Sequence, residues 1–212
     1  MFLMGDAIAQ TTPPPEEFTI ARLKYRGGGD WYGDPSSLPN LLAFIRNNTN
    51  MRVAADEARV DITQPDLFSY PYLYLTGHGN VRFADEEVKR LRSYLTSGGF
   101  LHADDNYGMD FSFRRELKRI FPDKDLVDLP FSHPIYHAPF DFARGMPKIH
   151  KHDGKRARGL GIFHKGRLVV FYSYETDLGD GWEDAPVHGD PASKRLAALR
   201  MGTNIVVYAL TH

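Results

Sequence analysis

One stretch near the middle of the chain constrains the fold more than any other. Residues 85–95 form a Glu- and Lys-rich segment with helical spacing, Gly98-Gly99 breaks it, and Phe100-Leu101-His102-Ala103 then runs as a short apolar strand into Asp104-Asp105-Asn106. A helix, a glycine turn and an apolar strand ending in carboxylates is the grammar of an open α/β sheet, whose sites form at the carboxyl ends of strands. The rest of the chain fits that pattern. Residues 18–25 alternate with period two, and 70–76 are continuously apolar. Helical spacing recurs over 35–48, 111–121 and 192–210, with Ser36 or Ser37 as N-cap of the first. Residues 53–62 are ambiguous between loop and one short strand. Residues 160–164 and 167–174 read as strands joined by a Lys165-Gly166 turn, an antiparallel hairpin at the end of the sheet. The segment 122–153, punctuated by five prolines, reads as a loop-rich excursion, and 175–191 as a polar loop. The expected fold is therefore α/β, a mainly parallel sheet with helices on both faces and a terminal antiparallel hairpin.

The 212 residues allow one domain over 18–212 behind a leader at 1–17. Ala7-Ile8-Ala9-Gln10 carries the small-residue pattern of a signal-peptidase site, and Thr11 to Glu17 is Pro-rich. The leader reads as a signal-peptide remnant, which gives a periplasmic or secreted location, or a cytoplasmic one if it is not such a remnant. No run reaches the ~20 apolar residues of a membrane span. A net charge of −1 without a basic block argues against nucleic-acid binding. Cysteine is absent, so disulfides, Cys-ligated zinc and thiol nucleophiles are excluded.

Four polar loops follow expected strands: 27–34, 77–80, 104–110 and 175–183. In a parallel sheet they share one edge, so Asp30, His78, Asp104 and Glu175 or Asp177 are expected to line one cleft. Within it the candidate catalytic residues are Asp104, His78 and His102. The candidate ligand-binding residues are Asp30, Trp31, Gly77, Gly79, Asp105, Asn106, Glu175, Asp177 and Trp182. Trp31 and Trp182 are placed to flank a ligand ring, and Gly27-Gly28-Gly29 to let a backbone approach a phosphate or sugar, although the loop is neither a dinucleotide fingerprint nor a P-loop. Nine histidines invite a metal reading through His78, His102 and Asp104, through His133 and His137, or through His150 and His152. None matches a tight metal motif, so no metal and no cofactor is assigned.

The motifs Tyr25-x-Gly-Gly-Gly-Asp-Trp-Tyr, Leu75-Thr76-Gly77-His78-Gly79, Leu101-His102-Ala103-Asp104-Asp105-Asn106-Tyr107-Gly108 and Tyr172-Ser173-Tyr174-Glu175-x-Asp177 resemble those of a bacterial family catalogued as domain of unknown function 4159. The resemblance spans nearly all of 18–212 and implies no established activity. The wider pattern is similar to the flavodoxin-like, class I glutamine amidotransferase-like fold, including trehalose-utilisation-type proteins. That likeness implies that Gly77-His78-Gly79 takes the place of the oxyanion-side turn and Asp104 the place of the nucleophilic cysteine. Without that cysteine, and with no His-x-Glu pair following, the glutaminase reaction is not available. The expected function is binding of a small polar ligand, such as a carbohydrate, at the strand ends. The alternatives are a hydrolase using Asp104 with His78 or His102, with or without a metal, and a non-catalytic module that binds a protein partner or a second copy of itself.

Overall fold

A computed structural model describes residues 17–212. The signal-like residues of the leader lie outside them. The chain builds a seven-stranded sheet in the order β2-β1-β3-β4-β7-β6-β5. Its strands are β1 (Ala21–Lys24), β2 (Ala58–Asp61), β3 (Tyr72–Leu75), β4 (Phe100–Asp104), β5 (Val127–Asp128), β6 (Arg158–His164) and β7 (Arg167–Tyr174). The first four and β7 run parallel to one another. The hairpin expected across Lys165-Gly166 is β6–β7, and β5 adds a second antiparallel neighbour at that edge.

Helices cover both faces, as continuously apolar parallel strands require. One face packs Leu23, Leu73, Leu75, Leu101 and Val170 beneath α2 (Asp85–Thr96) and α3 (Asp110–Ile120). The other packs Ile20, Tyr72, Tyr74, Phe100 and Phe171 beneath α1 (Ser37–Asn48) and α6 (Ala192–Thr211). Arg22 explains why β1 alternates in sequence although both of its faces are covered. Its side chain is 1 % exposed, pairs with Glu57 at 2.9 Å, and donates to the carbonyls of Gly33 (2.7 Å) and Asp34 (3.2 Å). A buried charge is tolerated only when paired and hydrogen-bonded, and here it also fixes the loop after β1.

One expectation needs correction. The segment 175–191 is not a polar loop: it folds into α4 (Leu178–Trp182) and α5 (Ala185–His188), with Leu178 and Trp182 fully buried. Ser36 stands at the N-cap of α1 as expected, although its side chain makes no capping bond. Its hydroxyl donates to Glu183 Oε1 at 3.1 Å and accepts from the Asp184 amide, tying the loop after β1 to the segment after β7. Among the described residues no helix is long and apolar enough to cross a membrane.

Candidate functional site

The strands β1, β3, β4 and β7 are consecutive neighbours and parallel, so the loops after them do share the carboxyl edge of the sheet. Within that edge the candidates separate into three groups, because successive residues leaving a strand point to opposite sides.

Asp104 and His102 point into the α1/α6 face and are sealed. His102 has no exposure; Tyr72 Oη lies 2.9 Å from its Nδ1 and Ser173 Oγ 2.8 Å from its Nε2. Burial pushes its pKa down to about 3, so it is a neutral core imidazole. Asp104, also without exposure, accepts from Ser173 Oγ (2.5 Å), Thr176 Oγ1 (3.2 Å), the Gly179 amide (2.6 Å) and Tyr74 Oη (3.4 Å). Burial pushes its pKa up to about 7, against the lowering effect of the Ser173 hydrogen bond. The carboxylate expected to act as a catalytic group in the cleft is instead an anchor that fastens α4 to β4. Neither Asp104 nor His102 is open to a substrate. Trp182 is likewise removed from any ligand: it is fully buried, packs at a tilt against Tyr74 with ring centroids 5.5 Å apart and donates to the Ala198 carbonyl at 2.8 Å.

Asp30 and His78 meet between β1 and β3. Asp30 Oδ2 lies 3.1 Å from His78 Nδ1, and its Oδ1 accepts from the His78 amide. Gly29 and Gly77 make room for the neighbouring loop, whereas Gly27 lines a cavity of about 500 Å³ with Arg26, Arg82 and Arg119. A Cβ on Gly29 would lie 2.8 Å from the His78 carbonyl oxygen, and one on Gly77 would meet Tyr25 Oη and the Asp30 backbone. Gly79 stands beside them, exposed, and Trp31 packs half-buried against the core, with Lys24 Nζ over its ring.

The third group is the richest. Asp105 accepts from the Glu175 amide at 3.0 Å through Oδ2. Glu175 binds Lys148 Nζ at 2.7 Å, and Asn106 donates to Asp34 Oδ2 at 2.9 Å. Asp177 Oδ2 receives His150 Nδ1 at 2.5 Å and His152 Nε2 at 3.0 Å. Asp180 Oδ2 faces His150 Nδ1 (3.0 Å) and His188 Nε2 (3.5 Å). Buried polar atoms are almost always paired. Here Asp105 Oδ1, Asn106 Oδ1, His152 Nδ1, Asp177 Oδ1 and Asp180 Oδ1 have no partner among the described residues.

The electrostatics follow from crowding. Burial and the neighbouring carboxylates of Asp180, Glu183 and Asp177 push Asp34 up to about 7. Burial and Asp177 do the same to Asp180. Hydrogen bonding to Asp177 raises His150 to about 9, and the His150 and His152 bonds hold Asp177 below the usual carboxylate range despite its burial. The backbone is also strained at this edge. Asp34, Tyr107, His152, Glu175 and Asp177 adopt positive φ between 44° and 64°. Each such non-glycine residue costs on the order of 1 kcal/mol and persists where surrounding contacts fix it, commonly at functional sites.

Between the β4 and β7 loops, Asp105 and Glu175 of this group border a cavity of about 310 Å³. Asp105, Tyr107, Asp110, Phe111, Lys155 and Glu175 line it; Phe111 is 80 % and Tyr107 52 % exposed. The profile of the DUF4159 family, a domain of unknown function, matches residues 19–210. The chain belongs to this family. No curated protein matches the sequence. This DUF4159 domain thus brings together Asp105, Asn106, Glu175 and Asp177 of the sequence-derived candidates and adds Asp34, Tyr107, Asp110, Phe111, His150, His152, Lys155, Asp180 and His188. The His150-x-His152 spacing was the one sequence signal for the imidazoles, which do converge on Asp177. Asp180 and His188 were hidden inside a segment that composition alone marks as polar loop.

Proposed function

We propose that the cavity at the carboxyl edge binds a small, uncharged polyhydroxy ligand of the carbohydrate class. The observation that carries this reading is a cavity flanked by two exposed aromatic rings and lined by Asp105, a carboxylate whose buried Oδ1 has no partner among the described residues. Carboxylates accept from sugar hydroxyls, and aromatic faces pack against the apolar face of a sugar ring. Four carboxylates (Asp105, Asp110, Asp153 and Glu175) against one ammonium, Lys155, disfavour anionic ligands. The reading extends to descent. The five parallel strands follow the order of flavodoxin-like sheets, and Asp104 ends β4 where class I glutamine amidotransferase-like proteins carry their nucleophile. With a sealed carboxyl at that position, binding is favoured over hydrolysis by Asp104. An exported location, read from residues 7–10, belongs to the same proposal.

Calorimetric titration of the chain with a panel of neutral oligosaccharides and their uronate counterparts tests it. Neutral sugars bind, uronates bind at least ~10-fold more weakly, and Tyr107→Ala abolishes measurable binding while the melting temperature is unchanged. Equal binding of both classes, or binding indifferent to Tyr107→Ala, contradicts it. Binding of no sugar, with association of the chain to itself or to another protein through Phe111, favours an interaction module instead.

A further inference from the structure

Beside the cavity, and independently of what the cavity holds, we propose that His150, Asp180 and His188 form a binding site for one zinc-type divalent cation. Their donor atoms lie within 4.8 Å of one another. His150 Nδ1 and His188 Nε2 stand 3.0 and 3.5 Å from the same oxygen, Asp180 Oδ2. Donors placed tetrahedrally around zinc at its usual bond lengths are separated by about 3.4 Å. Two imidazoles and a carboxylate form a donor set suited to zinc and its neighbours rather than to calcium or magnesium.

The surroundings are those of a ligated imidazole. Metal-bound histidines donate their second ring N–H to a carboxylate or carbonyl, which orients the ring. His150 Nε2 lies 3.0 Å from Asp190 Oδ2, and Asp190 Oδ1 is held by Lys194 Nζ at 3.1 Å. With its proton on Nε2, His150 presents the lone pair of Nδ1 to Asp180 Oδ2 at 3.0 Å and Asp177 Oδ2 at 2.5 Å, so a cation at Nδ1 takes the place of the proton these groups otherwise share. Two further atoms point to a ligand. Asp180 Oδ1 and Asp177 Oδ1, in residues 8 % and 3 % exposed, have no partner among the described residues. Four carboxylates (Asp177, Asp180, Glu183 and Asp190) converge on the two imidazoles, and a dication offsets that excess of negative charge. The histidine side chains are 30 % and 28 % exposed, so a cation has a path in. Three protein donors leave a coordination position for water or a substrate oxygen, as in open rather than closed zinc sites. The competing account is a proton alone, shared between His150 and its carboxylates.

Titration of the chelator-treated full chain with cobalt(II), then displacement by zinc(II), separates the two. The site takes up one equivalent of cobalt(II) with the intense visible absorption of four-coordinate cobalt, and zinc(II) abolishes it. His188→Ala, on the exposed surface of α5, weakens uptake at least ~100-fold, and Asp190→Asn weakens it ~10- to 100-fold. His137→Ala, an exposed histidine paired with Asp141, leaves uptake unchanged. Far-UV circular dichroism confirms that each variant is folded. A folded wild-type chain that takes up no stoichiometric cobalt(II) or zinc(II) overturns the proposal, as does uptake by His188→Ala equal to wild type.

Discussion

At Asp104 a carboxyl group without water around it satisfies Ser173, Thr176, the Gly179 amide and Tyr74 at once. Asp104→Ala leaves those donors unpaired in a dry interior and should cost roughly 2–4 kcal/mol in urea denaturation, because an abandoned buried donor forfeits its full solvation. The pH dependence has a definite sign. A folded-state pKa raised to about 7 from a carboxylate's usual value near 4 means that the folded chain binds more protons in between. The group's stabilising contribution is full below pH ~4 and lost as pH rises through 7. His102, lowered to about 3, acts oppositely: its contribution is full above the unfolded pKa of ~6.5 and lost as pH falls toward 3. The two offset each other where their windows overlap. Asp104→Asn therefore costs more relative to wild type at pH 5 than at pH 8, read from paired denaturation curves; a cost independent of pH would show that Asp104 does not titrate in this window. Why Asp104 read as catalytic is plain at this scale. A strand ending in Asp-Asp marks an edge but not which carboxylate faces the solvent side, and it was the second that does.

Among the elements, α4 was the least legible and matters most to the site. Its sequence, Leu178-Gly-Asp-Gly-Trp182, holds two glycines and an aspartate, the composition of a turn. The one contrary signal was the apolar pair at i and i+4, Leu178 and Trp182, which both enter the core beside α6. Gly179 shows what the composition serves. A Cβ there would stand 2.7 Å from Tyr74 Oη, 2.9 Å from Asp34 Oδ2 and 3.2 Å from Asp104 Oδ2. The helix backbone thus packs directly against two carboxyl groups, which any side chain would separate. Gly179→Ala should destabilise by about 1–3 kcal/mol through overpacking. It should also expose Trp182, read as a red-shifted emission before global unfolding; emission unchanged from wild type would place the strain elsewhere. The longer helices and the β6–β7 hairpin were legible because their periodicities and the Lys165-Gly166 turn are local signals. Arg22 shows the limit of such signals: alternation in β1 implied an exposed face, whereas a Glu57 partner 35 residues away buries it.

For the whole molecule, the gathering of the four candidate loops followed from topology alone: parallel strands put their following loops on one edge, whatever the loops contain. What topology could not convey was how that edge divides. The loops after β1 and β3 interlock at Gly29, Gly77 and His78 and border a cavity of about 500 Å³ lined by Arg26, Gly27, Arg82 and Arg119, whereas the loops after β4 and β7 border one of about 310 Å³ beside a ring of incompletely paired acids and imidazoles. The partition is set by side chains arriving from the proline-punctuated excursion, His150 and His152, and by Lys155 just beyond it, whose placement depends on contacts such as the Ile149 amide on the Thr176 carbonyl at 2.8 Å. The central claim is that this second half of the edge is where the molecule meets its ligand. The most direct measurement is amide chemical-shift mapping of the isotope-labelled chain titrated with neutral oligosaccharides. The account predicts saturable shifts concentrated in 105–111, 153–155 and 174–177, with 27–34 and 77–80 little changed. Saturable shifts centred on 27–34 and 77–80, or no saturable shift at 105–111 with any sugar, would contradict it.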